Sequence, residues 1–104
     1  MSDCIFCKIR DRKISKDFTY EDNDIMVFPD IHPVKPIHLL IVPKRHIKDF
    51  LLFDDDTLLP KIKRVIQKLI MEQKIQNKGY RILINGGGAQ IIDHLHIHLM
   101  GPMK

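Results

Sequence analysis

Residues 93–99 read Asp-His-Leu-His-Ile-His-Leu, and no other segment constrains the fold as strongly. Side chains on an extended strand alternate between two faces. The segment is therefore expected to lie in a strand from Ile91 to Met100. His94, His96 and His98 share one face, and Leu95, Ile97 and Leu99 share the other. The aliphatic face must cover a core, and the histidine face is expected to be open to ligand or solvent. A partner for the aliphatic face is visible earlier in the chain. Leu58, Leu59, Ile62, Val65, Ile66, Leu69 and Ile70 recur every three or four residues, with Gln73 at the next such position, as on an amphipathic helix. Asp54, Asp55, Asp56 and Thr57 offer N-caps, and Pro60 falls in the first turn, where its missing N–H costs little. The helix is expected to end near Asn77-Lys78-Gly79, with Gly79 as a left-handed stop.

The rest of the chain supplies short strands. Residues 18–22 and 25–29 flank the turn signal Asn23-Asp24 and read as a hairpin. Residues 30–36 hold Pro33 and Pro36 and read as a loop. Residues 37–42 form a nearly continuous apolar run, suited to a strand buried on both faces, and Pro43 ends it. Tyr80 to Ile84 is a further strand, followed by the glycine-rich turn Asn85 to Gln90. Residues 4–10 suit a short N-terminal helix. The expectation is an α+β fold: a five-stranded antiparallel sheet, one long helix and a short N-terminal helix. With 104 residues, the chain has room for one domain, 1–104.

Charge and cysteine usage narrow the partners. The net charge is +4, which attracts phosphate-bearing molecules. The lysines are dispersed, with no arginine-rich tract and little aromatic interleaving, so a nucleic-acid groove is not expected. No apolar run approaches the ~18 residues of a membrane span. The opening Met1-Ser2-Asp3-Cys4 lacks the basic-then-apolar pattern of a secretory signal, which makes the cytoplasm the expected compartment. There the two cysteines, Cys4 and Cys7, stay reduced, and one Cys-x-x-Cys is too little for a disulfide framework. Nothing precedes Cys4 that would form the first strand of a redox fold, which leaves metal binding open.

Three imidazoles on one strand face allow two chemistries. They could bind a catalytic metal, as His-x-His pairs on strands do. Alternatively, a neutral histidine could attack phosphorus while its neighbours handle charge and protons. The glycine turn favours the second: Gly86 to Gly88 can present backbone N–H groups to an anion, and Asn85 and Gln90 add neutral donors.

His94-Leu95-His96-Ile97-His98-Leu99-Met100 matches the His-φ-His-φ-His-φ-φ signature (φ, apolar) that names the histidine-triad family of nucleotide hydrolases and transferases. Cys4 to Ile9 resembles that family's N-terminal segment, Phe28 to Pro33 its ribose-contacting loop, and His38 to Ile47 its central strand. Asn85, Gly86 and Gln90 sit where its phosphate loop lies. Together these segments resemble the Hint-like branch of purine nucleoside phosphoramidases and adenylyl-lysine hydrolases.

The resemblance implies roles by position. His96 would attack the α-phosphorus and form a nucleotidyl-histidine that water hydrolyses, with its other ring nitrogen held by a backbone carbonyl. His98 would contact the phosphate oxygens and help protonate the leaving amine, with His94 and His38 in the supporting network. Asp30 would accept from the ribose hydroxyls. Asn85, Gly88 and Gln90 would attend the phosphate, and Ile5, Phe6, Ile9, Phe28 and Ile31 would wall the base pocket. Cys4, Cys7, His46 and His94 would form a structural Cys₂His₂ zinc site, as in several bacterial members. The family precedent also implies a homodimer with a continuous ten-stranded sheet and a purine nucleotide as ligand, with no organic cofactor. Three departures bear on specificity: the stretch from Asn85 to His94 is about two residues short, Ile91 stands where many members have serine, and the sequence lacks the C-terminal tail of many members. The alternatives are a diadenosine polyphosphate hydrolase, a nucleotide-binding regulatory protein with little turnover, and a catalytic metal site on the three histidines. His32 has no assigned role.

Overall fold

A computed structural model of the protein describes residues 3–104. The elements run α1 (Ile5–Arg10), β1 (Tyr20–Glu21), β2 (Ile25–Pro29), β3 (Ile37–Pro43), a 3₁₀ turn (Phe50–Leu52), α2 (Leu58–Glu72), β4 (Arg81–Ile84) and β5 (Ile97–Gly101). The five strands form one antiparallel sheet in the order β1-β2-β3-β5-β4. This is the expected α+β architecture. No helix among the described residues is long and apolar enough to cross a membrane.

Strand alternation divides the core into two layers. Ile25 and Val27 of β2, Leu39 and Ile41 of β3, and Leu95, Ile97 and Leu99 pack with Leu58, Ile62, Val65, Ile66, Leu69 and Ile70 of α2. Met26 and Phe28 of β2 and Leu40 and Val42 of β3 face the other way, against Phe6 and Ile9 of α1. The run Ile37–Pro43 is thus buried on both faces, as its unbroken apolarity requires. His38 lies in register with Met100, and Leu40 with His98. The histidine side chains accordingly project into the layer that α1 covers.

Two boundaries differ from the expectation. Regular pairing of the last strand starts at Ile97, not Ile91. Before it the backbone bonds elsewhere: His94 N–H donates to the Ile92 carbonyl at 2.8 Å, and Leu95 N–H to the Ile47 carbonyl at 2.6 Å. Helix α2 ends at Glu72, and Lys74, at φ 59°, takes the left-handed position assigned to Gly79. The Ile75 N–H reaches the Ile70 carbonyl and the Lys74 N–H reaches the Met71 carbonyl, the paired bonds of a Schellman stop. The stop swings Ile75 into the core beside Ile70 (2% and 8% exposed), so burial of one isoleucine sets the boundary. Gly79 also has positive φ, 77°, but serves the approach to β4. A Cβ there would lie 3.1 Å from Met103 and Lys104 side-chain carbons.

Candidate active site

His94, His96 and His98 all project to the α1 side of the sheet, where α1 covers part of that face. Phe6 of α1 stands edge-on to His94 and His96, with ring centroids 5.6 and 5.2 Å away. His94 is fully buried and His96 is 7% exposed. The expectation of an open histidine face is corrected in part: Phe6 and Ile9 turn α1 onto this layer and cover His94, while His96 and His98 still reach a cavity.

The rings of His96, His94 and His38 each have a proton placed by a backbone group of fixed polarity, and that of His98 follows from His38. The His96 Nδ1–H donates to the His94 carbonyl at 2.8 Å, since a carbonyl can only accept. In the neutral ring this fixes the tautomer whose Nε2 is bare, as a nucleophile requires. The His94 Nε2–H donates to the Pro43 carbonyl at 2.7 Å, which bares its Nδ1. Burial pushes the His94 imidazole down to about 4, partly offset by that carbonyl bond, so it stays neutral near pH 7.

His38 is set by a donor. The Val34 backbone N–H donates to His38 Nδ1 at 3.1 Å, so the ring's one proton sits on Nε2. That Nε2–H lies 2.9 Å from His98 Nδ1 and 3.3 Å from Asp30 Oδ2. His98 then accepts at Nδ1 and carries its own proton on Nε2. Burial pushes the His98 imidazole below its ordinary value, helped by the neighbouring rings of His96 and His38 and opposed by the Asp30 carboxylate. Asp30, His38 and His98 also group closely enough to suggest a cation site. A metal on His38 Nε2 would require a proton on Nδ1, facing the Val34 N–H, and the arrangement does not fit one.

A cavity of about 280 Å³ collects most of the residues expected to bind a nucleotide. Ile5, Phe6, Ile9, Phe28, Ile31, Asp30, Asn85, His96 and His98 line it, and His32, Lys16, Pro29, Leu40, Ala89, Ile91 and Ile92 complete the wall. His32 also gives its backbone N–H to Asp30 Oδ1 at 2.8 Å. Phe28 and Phe6 meet edge to face at 5.6 Å. Ile31 and Ile91 stand at the mouth, 75% and 99% exposed.

Gly88 and Gln90 do not line this cavity. The Gly88 N–H donates to Gln90 Oε1 at 3.0 Å, and the Gly87 N–H donates to Asp49 Oδ2 at 2.9 Å. Two of the three glycine amides expected to await an anion, those of Gly87 and Gly88, are thus already bonded to side-chain oxygens. The Asp49 carboxyl is held below its usual range chiefly by that Gly87 amide. Asp49 and Val34 carry no signal in the sequence, and Pro43 reads there only as the end of a strand. Each acts through a contact 38, 4 or 51 residues away.

The fourth group is a cluster of Cys4, Cys7, His46 and His94, whose donor atoms all lie within 4.8 Å of one another. His94 Nδ1 is 3.2 Å from Cys4 Sγ, 3.7 Å from Cys7 Sγ and 3.2 Å from His46 Nδ1. His46 Nδ1 is 3.3 Å from Cys7 Sγ. Around a tetrahedral Zn²⁺, with bonds of about 2.3 Å to sulfur and 2.0–2.1 Å to nitrogen, donors stand roughly 3.3–3.8 Å apart. The set therefore fits zinc in both spacing and ligand type. The bare Nδ1 of His94, backed by the Pro43 carbonyl, is the arrangement a metal-binding imidazole uses. Burial and the adjacent Cys4 raise the Cys7 thiol above its ordinary value, so Cys7 stays a thiol until a cation takes it.

The family model for scavenger mRNA decapping enzyme C-term binding matches residues 3–104. Protein HitA of Neisseria gonorrhoeae is 39% identical over 105 residues, covering 97% of each chain. A HIT family hydrolase from Legionella pneumophila has the same fold at a TM-score of 0.92, with 38% identity over 98% of this chain and 95% of that one. A histidine triad protein from Clostridium difficile superposes with a TM-score of 0.88 at 36% identity, covering 96% and 90%.

Proposed function

Because the chain belongs to the histidine-triad (HIT) family, we propose that it hydrolyses purine nucleoside 5′-phosphoramidates, in the manner of the Hint-like branch. The observation that carries this is the bare Nε2 of His96 at the wall of a cavity that also holds a carboxylate, a second proton-bearing imidazole and an apolar end. The ribose hydroxyls donate to Asp30, and the base lies among Ile5, Phe6, Ile9, Phe28 and Ile31. His96 Nε2 attacks the α-phosphorus, forming a P–N bond to the ring as the bond to the leaving amine breaks. His98, with Nε2–H toward the cavity, supports the phosphate oxygens and helps protonate the departing amine. Water then attacks the phosphorus of the nucleotidyl-histidine, releasing the nucleoside monophosphate and restoring the bare Nε2.

His94 acts at one remove, through the carbonyl that holds His96. Cys4, Cys7, His46 and His94 would hold a structural zinc, which supplies rigidity to the segment entering β5.

The test is turnover of adenosine and guanosine phosphoramidates against diadenosine tri- and tetraphosphate. Faster cleavage of the phosphoramidates is expected, and a preference for the dinucleotides overturns the reading.

The protein also acts as a homodimer in this proposal. Edge strand β4 exposes Ile82, Leu83 and Ile84, at 46%, 39% and 37%. Beside it, Phe50, Leu59, Tyr80 and Ile82 line an apolar groove of about 350 Å³ against α2. An unprotected apolar edge invites pairing with another strand, and a second copy docking its own β4 continues the sheet to ten strands. Sedimentation should give twice the chain mass, and Ile82→Lys should shift it to the monomer. A wild-type monomer at micromolar concentration would refute the dimer.

A further inference from the structure

The apolar end of the cavity holds one charged side chain that the mechanism above leaves without a task. Lys16 lines the cavity together with Ile5, Phe6, Ile9 and Phe28. Its Nζ stands 5.3 Å from the centre of the Phe28 ring, and the residue is half-buried. The salt bridges formed by lysines among the described residues involve Lys44, Lys61 and Lys68, and Lys16 is in none of them. The ammonium rests on an aromatic face with donors to spare. On the nucleotide reading, from which this inference follows, Asp30 takes the ribose and His96 the phosphorus, so the base comes to lie beside Lys16.

An ammonium has three donors and no acceptor. Guanine and hypoxanthine present two adjacent acceptors, N7 and O6, whereas adenine presents N7 beside an amino donor. Near adenine the ammonium meets an N–H group that cannot receive it. The four-carbon stem of lysine is flexible enough to move from the Phe28 face to the edge of a bound base. We infer that Lys16 is a specificity-determining residue that biases the site toward 6-oxopurine nucleotides. The apolar wall contacts any purine alike, and Lys16 distinguishes among them.

Calorimetric titration of the intact protein with GMP, IMP and AMP tests this. GMP and IMP should bind about five- to tenfold tighter than AMP, as expected for one charge-assisted hydrogen bond at a half-exposed site. Lys16→Met should abolish the difference while leaving AMP affinity within about twofold, and Lys16→Arg should retain it. Equal affinity of the wild type for AMP and GMP overturns the assignment and leaves the nucleotide reading standing. So does an equal loss for all three ligands in Lys16→Met, which would make the lysine a phosphate contact. If none of the three binds, the nucleotide reading falls and this inference falls with it.

Discussion

Replacing His96 with alanine is expected to lower phosphoramidate turnover by about 10⁴-fold or more, because the variant lacks the atom that forms the covalent intermediate. Affinity for AMP should change only a few-fold, since Asp30, His98 and the apolar wall remain. The fold should survive, because His96 lies in the α1 layer, outside the cluster packed on α2. His96→Gly should behave in the same way. A second measurement separates a lost nucleophile from a disturbed pocket. Wild-type protein quenched in denaturant during turnover should carry a nucleotidyl adduct on the His96 peptide, and neither variant should. Retention of a tenth of the wild-type rate by His96→Ala would eliminate the assignment.

Zinc content should be one ion per chain, and its removal should lower the melting temperature by about 12–32 °C. The ion binds the folded chain and not the unfolded one. At concentrations several hundred- to a thousandfold above its dissociation constant it therefore adds roughly 3–4 kcal/mol. In a domain of this size each kcal/mol moves the midpoint by about 4–8 °C. Cys7→Ala should lose both the ion and the stability, since Cys7 is buried and its Sγ lies near both imidazoles. Activity should fall as well, because the His94 carbonyl holds His96 in its tautomer. Metal-depleted protein that melts at the same temperature as the metal-loaded form would exclude a structural zinc.

Periodicity made most of the fold legible. The two-residue alternation of residues 94–99 places Leu95, Ile97 and Leu99 against α2 even though ladder pairing starts only at Ile97. Direction of the side chains is a local property of extended backbone. Where the ladder begins depends on the Ile47 carbonyl, 48 positions away from the Leu95 N–H that it captures. The end of α2 departs from the sequence expectation for a similar reason: Gly79 is the better left-handed residue, but burial of Ile75 favours a stop at Lys74. The aromatic and aliphatic cavity residues lie together with Asp30 and Asn85, and the four cluster residues lie together beside them. Gly88 and Gln90 do not join them: Gln90 takes the Gly88 amide and Asp49 the Gly87 amide. The task of Val34 belongs to its backbone N–H, and a side-chain pattern carries no record of that.

The sheet also acts as a partition. Its α2 side carries the larger aliphatic cluster, and its α1 side carries the cavity, the imidazoles and the cysteines. Residues on opposite sides share few partners, so substitutions across the sheet should combine additively in free energy. Stability and ligand preference can then drift separately. Changes at Ile62 or Leu69 adjust how firmly the scaffold holds, and changes at Ile31, Ile91 or Lys16 adjust what it accepts. A chain built this way can be recruited to a new leaving group without first rebuilding its core, and it can be hardened against heat without altering its chemistry.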